Sequence, residues 1–286
     1  MTERTTSQIT EYAAERRKKG RVRKIVLLVA LVVLLMLLIW SALYYAANRR
    51  LPFPPVDSIA GETVLVPEFL YAISGPEGAD SLQKPVGVAV SEDGCVFAVD
   101  AFSRTIRSYD TDGEYRFSFN SIVSDKGAQL QLPQRVTIGP DGNVWVTDRR
   151  LRGIFVFSPE DGSFVREFIP VSDITETWGP VALAFNAEGS LYVADLGLSQ
   201  EHRIVAFDSE GNEIARWGTT VPVSQMTQSP GGFYYPNGIA FSSEGDVFVS
   251  DMNNHRVQVF TPEGEFKYLI RTSGSPLGMV IDPTQR

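Results

Sequence analysis

Residues 236–251 read Pro-Asn-Gly-Ile-Ala-Phe-Ser-Ser-Glu-Gly-Asp-Val-Phe-Val-Ser-Asp. An apolar run, Ile239 to Phe241, meets a Ser-Ser-Glu-Gly turn, and a second run, Val247 to Val249, ends on Asp251. The polar loop from Met252 to Arg256 leads to a third run, Val257 to Phe260. Thr-Pro-Glu-Gly then turns the chain into a fourth run, Phe266 to Ile270. Short β-branched and aromatic runs joined by Glu-Gly and Asp-Gly turns predict antiparallel hairpins. Four such strands in sequence make one blade of a β-propeller.

The same phrase recurs upstream with constant spacing. Pro85 is followed nine residues later by Gly94 and six after that by Asp100. Pro133, Gly142 and Asp148 repeat these steps, as do Pro180, Gly189 and Asp195. A repeat of this period sets the architecture. In the second strand an aromatic recurs as Phe97, Trp145, Tyr192 and Phe248, with apolar residues on either side. That lack of alternation predicts strands buried on both faces between stacked blades. A fifth copy begins at Pro276 and reaches Arg286, and Glu68 to Ile73 reads as an outermost strand. The expected fold is all-β: a propeller of four complete four-stranded blades plus a partial fifth. Propellers close because open sheet edges invite association, so self-association through the incomplete blades is an expectation. A ring shortened from six blades, and one closed abnormally, are the alternatives.

The motifs resemble the NHL-repeat family. DMNNHRVQVF (251–260) carries the Asp, the Asn-His-Arg and the terminal Phe, and DLGLSQEHRIVAF (195–207) carries them with an insertion. DAFSRTIRSY and DRRLRGIFVF, in the first two copies, keep the Asp and the apolar ending. The resemblance covers about residues 66–286 and implies a propeller scaffold, which hosts many activities.

The N-terminus is different in kind. Eight Lys/Arg lie in the first 24 residues, and 25–47 is apolar apart from Ser41 and two tyrosines. About 20 apolar residues span a bilayer as a helix. The basic flank belongs in the cytoplasm, and Trp40, Tyr44 and Tyr45 suit the far interface. The organisation expected is a cytoplasmic tail (1–24), a transmembrane helix (25–47), a proline-rich linker (48–65) and a propeller (66–286) outside the cytoplasm. A cleaved signal peptide is the alternative, but its apolar region is usually ~7–15 residues. The whole chain has 26 Lys+Arg and 34 Asp+Glu; residues beyond 50 hold 16 and 31 of these, a net charge of −15. Such acidity excludes nucleic acid as an expected partner. Cys95 is the only cysteine, so no intrachain disulfide is expected.

Repetition separates scaffold from site. Asp100, Asp148, Asp195 and Asp251 close the second strands, where Asp caps local backbone amides. His202 and His255 both precede Arg in the repeat, in the slot that Arg104 and Arg152 fill elsewhere. All six read as structural. The insertions 120–132, 169–179 and 218–235 fall between blades, on the face shared with the loops after the aspartates. Irregular loops on one face mark a binding face. Trp178, Phe233, Tyr234 and Tyr235, with Arg149, Arg150 and Arg152, are the candidate contacts there, since aromatic and Arg residues anchor interfaces. These aromatics either present that surface or tuck their own loops down. A protein or glycan is the expected partner, and no cofactor is expected.

The enzyme alternative rests on Asn237. Pro-Asn-Gly-Ile-Ala-Phe resembles a motif of gluconolactonase and strictosidine-synthase propellers. That resemblance implies a metal-dependent hydrolase or lyase in which the Asn helps to hold a divalent cation, Ca²⁺ or Zn²⁺. The equivalent positions in the other copies are Val86, Gln134, Val181 and Leu277. No phosphate-binding Gly-rich loop or Gly-x-Ser-x-Gly elbow is present.

Overall fold

The computed structural model describes residues 81–122, 128–197, 201–218 and 229–281, residues 72, 73 and 75, and eight helical residues between Leu28 and Trp40. Among the described residues no helix is long and apolar enough to cross a membrane. Most of the expected transmembrane stretch and all of the linker lie outside the described residues. Contacts divide the chain between Phe69 and Leu70.

The second unit is a four-bladed β-propeller arc. Blade one comprises β1 (Pro85–Val90), β2 (Val96–Asp100), β3 (Thr105–Tyr109) and β4 (Tyr115–Phe119). A small hairpin, β5 (Ser121–Ile122) and β6 (Ala128–Gln129), precedes blade two: β7 (Pro133–Ile138), β8 (Val144–Asp148), β9 (Gly153–Phe157) and β10 (Phe164–Phe168). Blade three holds β11 (Pro180–Phe185), β12 (Leu191–Asp195), β13 (Arg203–Phe207) and β14 (Glu213–Trp217). Blade four holds β15 (Pro236–Phe241), β16 (Val247–Asp251), β17 (Arg256–Phe260) and β18 (Phe266–Arg271). Each blade is one antiparallel sheet in sequence order.

The repeated residues explain the repeated geometry. Pro85, Pro133, Pro180 and Pro236 face Asp100, Asp148, Asp195 and Asp251 across a register shift. A proline at a strand's first position sacrifices no ladder bond. The turn glycines Gly94, Gly142, Gly189 and Gly245 sit at φ from +74° to +87°, a region that costs glycine nothing.

Blades stack through the recurrent aromatic of the second strand. Trp145 meets Phe185 of the next blade edge-on at 5.1 Å, and Tyr192 meets Phe241 at 4.9 Å. Each pair adds about 0.5–1.5 kcal/mol beyond area burial. Phe97, Trp145 and Tyr192 are buried, as both-face burial of the second strand requires. Phe248 is half-exposed and has only Tyr268 of its own blade, at 6.4 Å. Among the described residues no blade follows it.

The inner strands follow one another around the axis in the order β1, β7, β11, β15. The expected first strand of a fifth blade, 277–281, is not a strand. Among the described residues no further strand follows to complete a ladder with it. Instead Leu277 accepts a hydrogen bond from Ser250 Oγ at 2.6 Å and lies against Gly238, where any Cβ would meet the Leu277 carbonyl at 2.5 Å. The expected outer strand 68–73 falls mainly outside the described residues, and its last two residues are irregular.

Candidate functional site

The four aspartates are fully buried and organise the loop face from beneath. Asp148 accepts from the backbone of Gln131, Leu132, Arg150 and Leu151 at 2.6–2.9 Å. It thereby ties the interblade insertion to the loop inside the blade. Asp100 does the same with Gln83, Lys84, Phe102 and Ser103. Asp195 accepts from Gly179 and Gly197 and pairs with Arg203 at 2.7 Å. Asp251 accepts from Tyr234 and pairs with Arg256 at 2.8 Å. Amide donors hold the Asp100 carboxyl below its ordinary range against the opposing effect of burial.

The histidines do not share one geometry. His255 is exposed and left-handed at φ +51°, matching Arg104 and Arg152 at +59°. His202 is buried and is not among the left-handed residues. Its Nδ1 accepts from Tyr235 N at 3.1 Å, and its ring stacks on Tyr234, 6.2 Å away with planes 16° apart. Burial pushes the His202 pKa below the usual histidine value, so the acceptor form prevails.

The candidate contacts divide. Trp178 and Phe233 are core residues: Trp178 packs edge-on against Phe207 at 5.8 Å, and Phe233 lies 5.6 Å from Phe260. Arg152 leans the same way, its Nε donating to the Trp178 carbonyl at 2.7 Å. Tyr234 and Tyr235 are half-exposed, while Arg149 and Arg150 are exposed. The Arg149 guanidinium lies 5.7 Å from the Tyr235 ring centroid. Thus Arg149 of blade two, His202 of blade three and the tyrosines entering blade four form one cluster. A buried histidine backs two accessible aromatics and a cation. Tyr235 is itself left-handed at φ +59°, held there by the loop around it.

Asn237 lies on β15, the inner strand of blade four, where it meets a residue outside the sequence motifs. Arg135, on β7 of blade two, donates from Nη2 to Asn237 Oδ1 at 2.5 Å and from Nε to the Asn237 carbonyl at 3.3 Å. Its Nη1 donates to the Val86 carbonyl of blade one and to the Gln134 carbonyl. One guanidinium therefore joins three blades across the axis. No sequence motif includes it, and the other copies carry Gly87, Ala182 and Gly238 in register. The only signal is a long cation where the repeat otherwise has small residues. Among the described residues no group of three or more His, Cys, Asp or Glu side chains could hold a metal ion. The Asn237 oxygen that would face a divalent cation already faces a positive charge. This donor set does not fit such an ion.

Four four-stranded blades around an axis define a β-propeller with an aspartate-braced loop face. Residues 233–260 match the NHL repeat family, which agrees with the resemblance of the motifs. The chain is similar to human E3 ubiquitin-protein ligase TRIM32, 26% identical over 70% of this chain and 30% of that protein. It is also similar to peptidyl-glycine alpha-amidating monooxygenase B of Xenopus laevis, 34% identical over 51% of this chain and 17% of that protein. The chain thus spans under a third of the length of these relatives. Among solved structures, a gluconolactonase of Xanthomonas campestris superposes with a TM-score of 0.52 at 20% identity, over 70% of this chain and 66% of that one. That likeness is one of fold.

Proposed function

We propose that this chain is a membrane-anchored propeller whose loop face binds a protein or glycan outside the cytoplasm. The observation that carries the reading is the Arg149–His202–Tyr234–Tyr235 cluster, drawn from three blades, in which Arg149 is exposed and both tyrosines are half-exposed over the buried His202. Rigid amphipathic aromatics beside a cation are favoured anchors for a partner. The similarity to NHL-repeat proteins supports a recognition module. Anchoring through residues 25–47, with the N-terminal tail inside, rests on the apolar run and its basic flank. Self-association belongs to the same proposal, because Val88 and Val90 of blade one and Tyr268 and Ile270 of blade four are exposed.

The test is a photo-crosslinking residue at Tyr234 in intact cells. A discrete adduct lost on Arg149→Glu is expected; absence of any adduct, or one indifferent to Arg149→Glu, refutes the reading. Protease added to intact cells should remove the propeller and spare the N-terminal tail. A propeller protected until lysis would overturn the orientation.

The rival reading, a metal-dependent hydrolase or lyase using Ca²⁺ or Zn²⁺, requires Asn237 to release Arg135. Metal uptake by the Arg135→Gln variant but not by the parent would favour that reading, with the guanidinium as its block.

A further inference from the structure

Pro276-Leu-Gly-Met-Val-Ile repeats the inner-strand phrase of Pro85-Val-Gly-Val-Ala-Val, and the segment sits where an inner strand would. Thr147 Oγ1 of blade two donates to the Val181 carbonyl of blade three at 3.2 Å, and Ser250 Oγ of blade four donates to the Leu277 carbonyl at 2.6 Å. Val181 and Leu277 each follow the first proline of their copies. A Cβ on Gly87 would meet the Gln134 carbonyl and Arg135 Cα of the next blade at 3.1 and 3.2 Å; a Cβ on Gly238 would meet the Leu277 carbonyl and Gly278 Cα at 2.5 and 3.3 Å. Gly278, Met279 and Val280 also line the axial cavity beside β1, β7, β11 and β15. The segment thus lies on blade four as each inner strand lies on the blade before it.

Two contacts made in the other copies are open here. The first is the ladder. The fifth residue of each inner strand pairs with the recurrent aromatic of the second strand: Ala89 with Phe97, Thr137 with Trp145, Ala184 with Tyr192 and Ala240 with Phe248. Ser91 N, two residues beyond Ala89, donates to the Cys95 carbonyl at 2.9 Å. Hydrogen-bonded pairs alternate along an antiparallel ladder, so the N–H of the fifth residue is a ladder donor. Val280 holds that position, is 90% exposed, and has no strand paired with it among the described residues. The second contact belongs to the outer strand. Phe119, Phe168, Trp217 and Ile270 share one register position in β4, β10, β14 and β18. The first three reach the residue that ends the third strand of the next blade: Phe119 lies 5.1 Å from Phe157, Phe168 5.3 Å from Phe207 and Trp217 5.8 Å from Phe260. Ile270 is instead 45% exposed.

We infer that 277–281 and the free face of blade four form an acceptor for a β-hairpin of another polypeptide. The first strand of that hairpin is apolar with a central aromatic and pairs with 277–281; its second strand ends in an aromatic that covers Ile270. Strand addition of this kind draws affinity from main-chain hydrogen bonds and selectivity from alternate side chains. A whole blade of a second copy does not fit, because 277–281 already fills the inner-strand place. The site is independent of the loop face. It shares Ile270 with the self-association proposed above, so a second copy of the chain is the rival occupant, and the experiment separates the two.

The probe is a fluorescein-labelled peptide of sequence 247–260, the second and third strands of blade four, titrated against the full chain in phospholipid nanodiscs. Anisotropy is expected to saturate at one peptide per chain, with a scrambled peptide silent. The peptide orders as it binds, because an isolated hairpin is marginal in water. Phe260→Ala in the peptide alone should weaken binding about tenfold, the loss of one aromatic contact and the area it buries. In the chain, Val280→Pro removes the ladder N–H and Ile270→Glu puts a charge under the hairpin; each should weaken binding by about tenfold or more. Lys267→Ala, on the opposite face of β18, should bind as the parent does. Both altered side chains are exposed, so near-ultraviolet circular dichroism of the variants should match the parent. If Ile270→Glu does not fold, Val280→Pro decides. No saturable binding, equal binding of the scrambled peptide, or indifference to both chain variants would each overturn the assignment. So would a dimer of the chain that is lost on Ile270→Glu and excludes the peptide.

Discussion

Asp251→Asn tests whether the second-strand aspartates brace the loop face. The carboxylate is fully buried; Oδ1 accepts from Tyr234 N at 2.6 Å, while Oδ2 accepts from Asn254, Arg256 and Gln258 at 2.8, 2.8 and 3.0 Å. Asparagine replaces one oxygen by an NH₂ that meets donors. It also leaves Arg256, whose side chain is 3% exposed, without its counter-charge. Breaking a buried pair from one side costs about 3–5 kcal/mol. At ~2–4 °C per kcal/mol for a domain of this size, melting should fall by about 6–20 °C. Adding Arg256→Met removes the other half of the same pair, so the double variant should cost less than the sum of the two single variants, a non-additive recovery. Near-ultraviolet circular dichroism of the full chain measures the parent, both single variants and the double variant. The exposed pair of Lys267 and Asp246, 2.6 Å apart, is the control, and Lys267→Ala should leave melting unchanged. The bracing argument fails if Asp251→Asn melts like the parent, or if Arg256→Met adds its full cost to the double variant.

Further outcomes follow from single contacts. His202 has a depressed pKa and accepts from Tyr235 as the neutral ring, so the folded state binds fewer protons than the unfolded state. Its contribution is complete above the ordinary histidine value of about 6.5 and is lost as pH falls toward the folded value; melting of the parent between pH 7 and 5 should therefore drop more than that of His202→Asn, and parallel curves would contradict the assignment. Trp178→Ala should destabilise by about 3–5 kcal/mol in urea unfolding, whereas Tyr235→Gly relieves a left-handed residue and should cost far less; the reverse order would mean that Trp178 is not core. Gly238→Ala drives a methyl group into the Leu277 carbonyl, so limited proteolysis should cleave 277–281 faster than in the parent, and equal rates would show that the segment is not seated there.

The repeat was legible because it is local. Glycine turns, strand-length apolar runs and a terminal aspartate encode each blade within about forty residues, and hydrogen bonds inside one sheet are specified by neighbouring sequence. The same logic located the loop face, because insertions must leave the blade where strands end. It could not rank the side chains on that face. Trp178 and Tyr235 are both aromatics at the ends of insertions, and only packing against Phe207 or solvent separates them. His202 and His255 share a motif, yet one is buried and the other exposed. Asn237 was visible as a motif residue, but Arg135 lies 102 positions away and meets it only because the blades curve around an axis. The sequence by itself determined the blade and its four complete copies, since these depend on strand period and turn chemistry, whereas the first strand it gave a fifth copy is irregular at 277–281. Only the tertiary structure decided which aromatics are accessible, what occupies the Asn237 oxygen and what lines the axial cavity, since each depends on side chains from different blades converging in space.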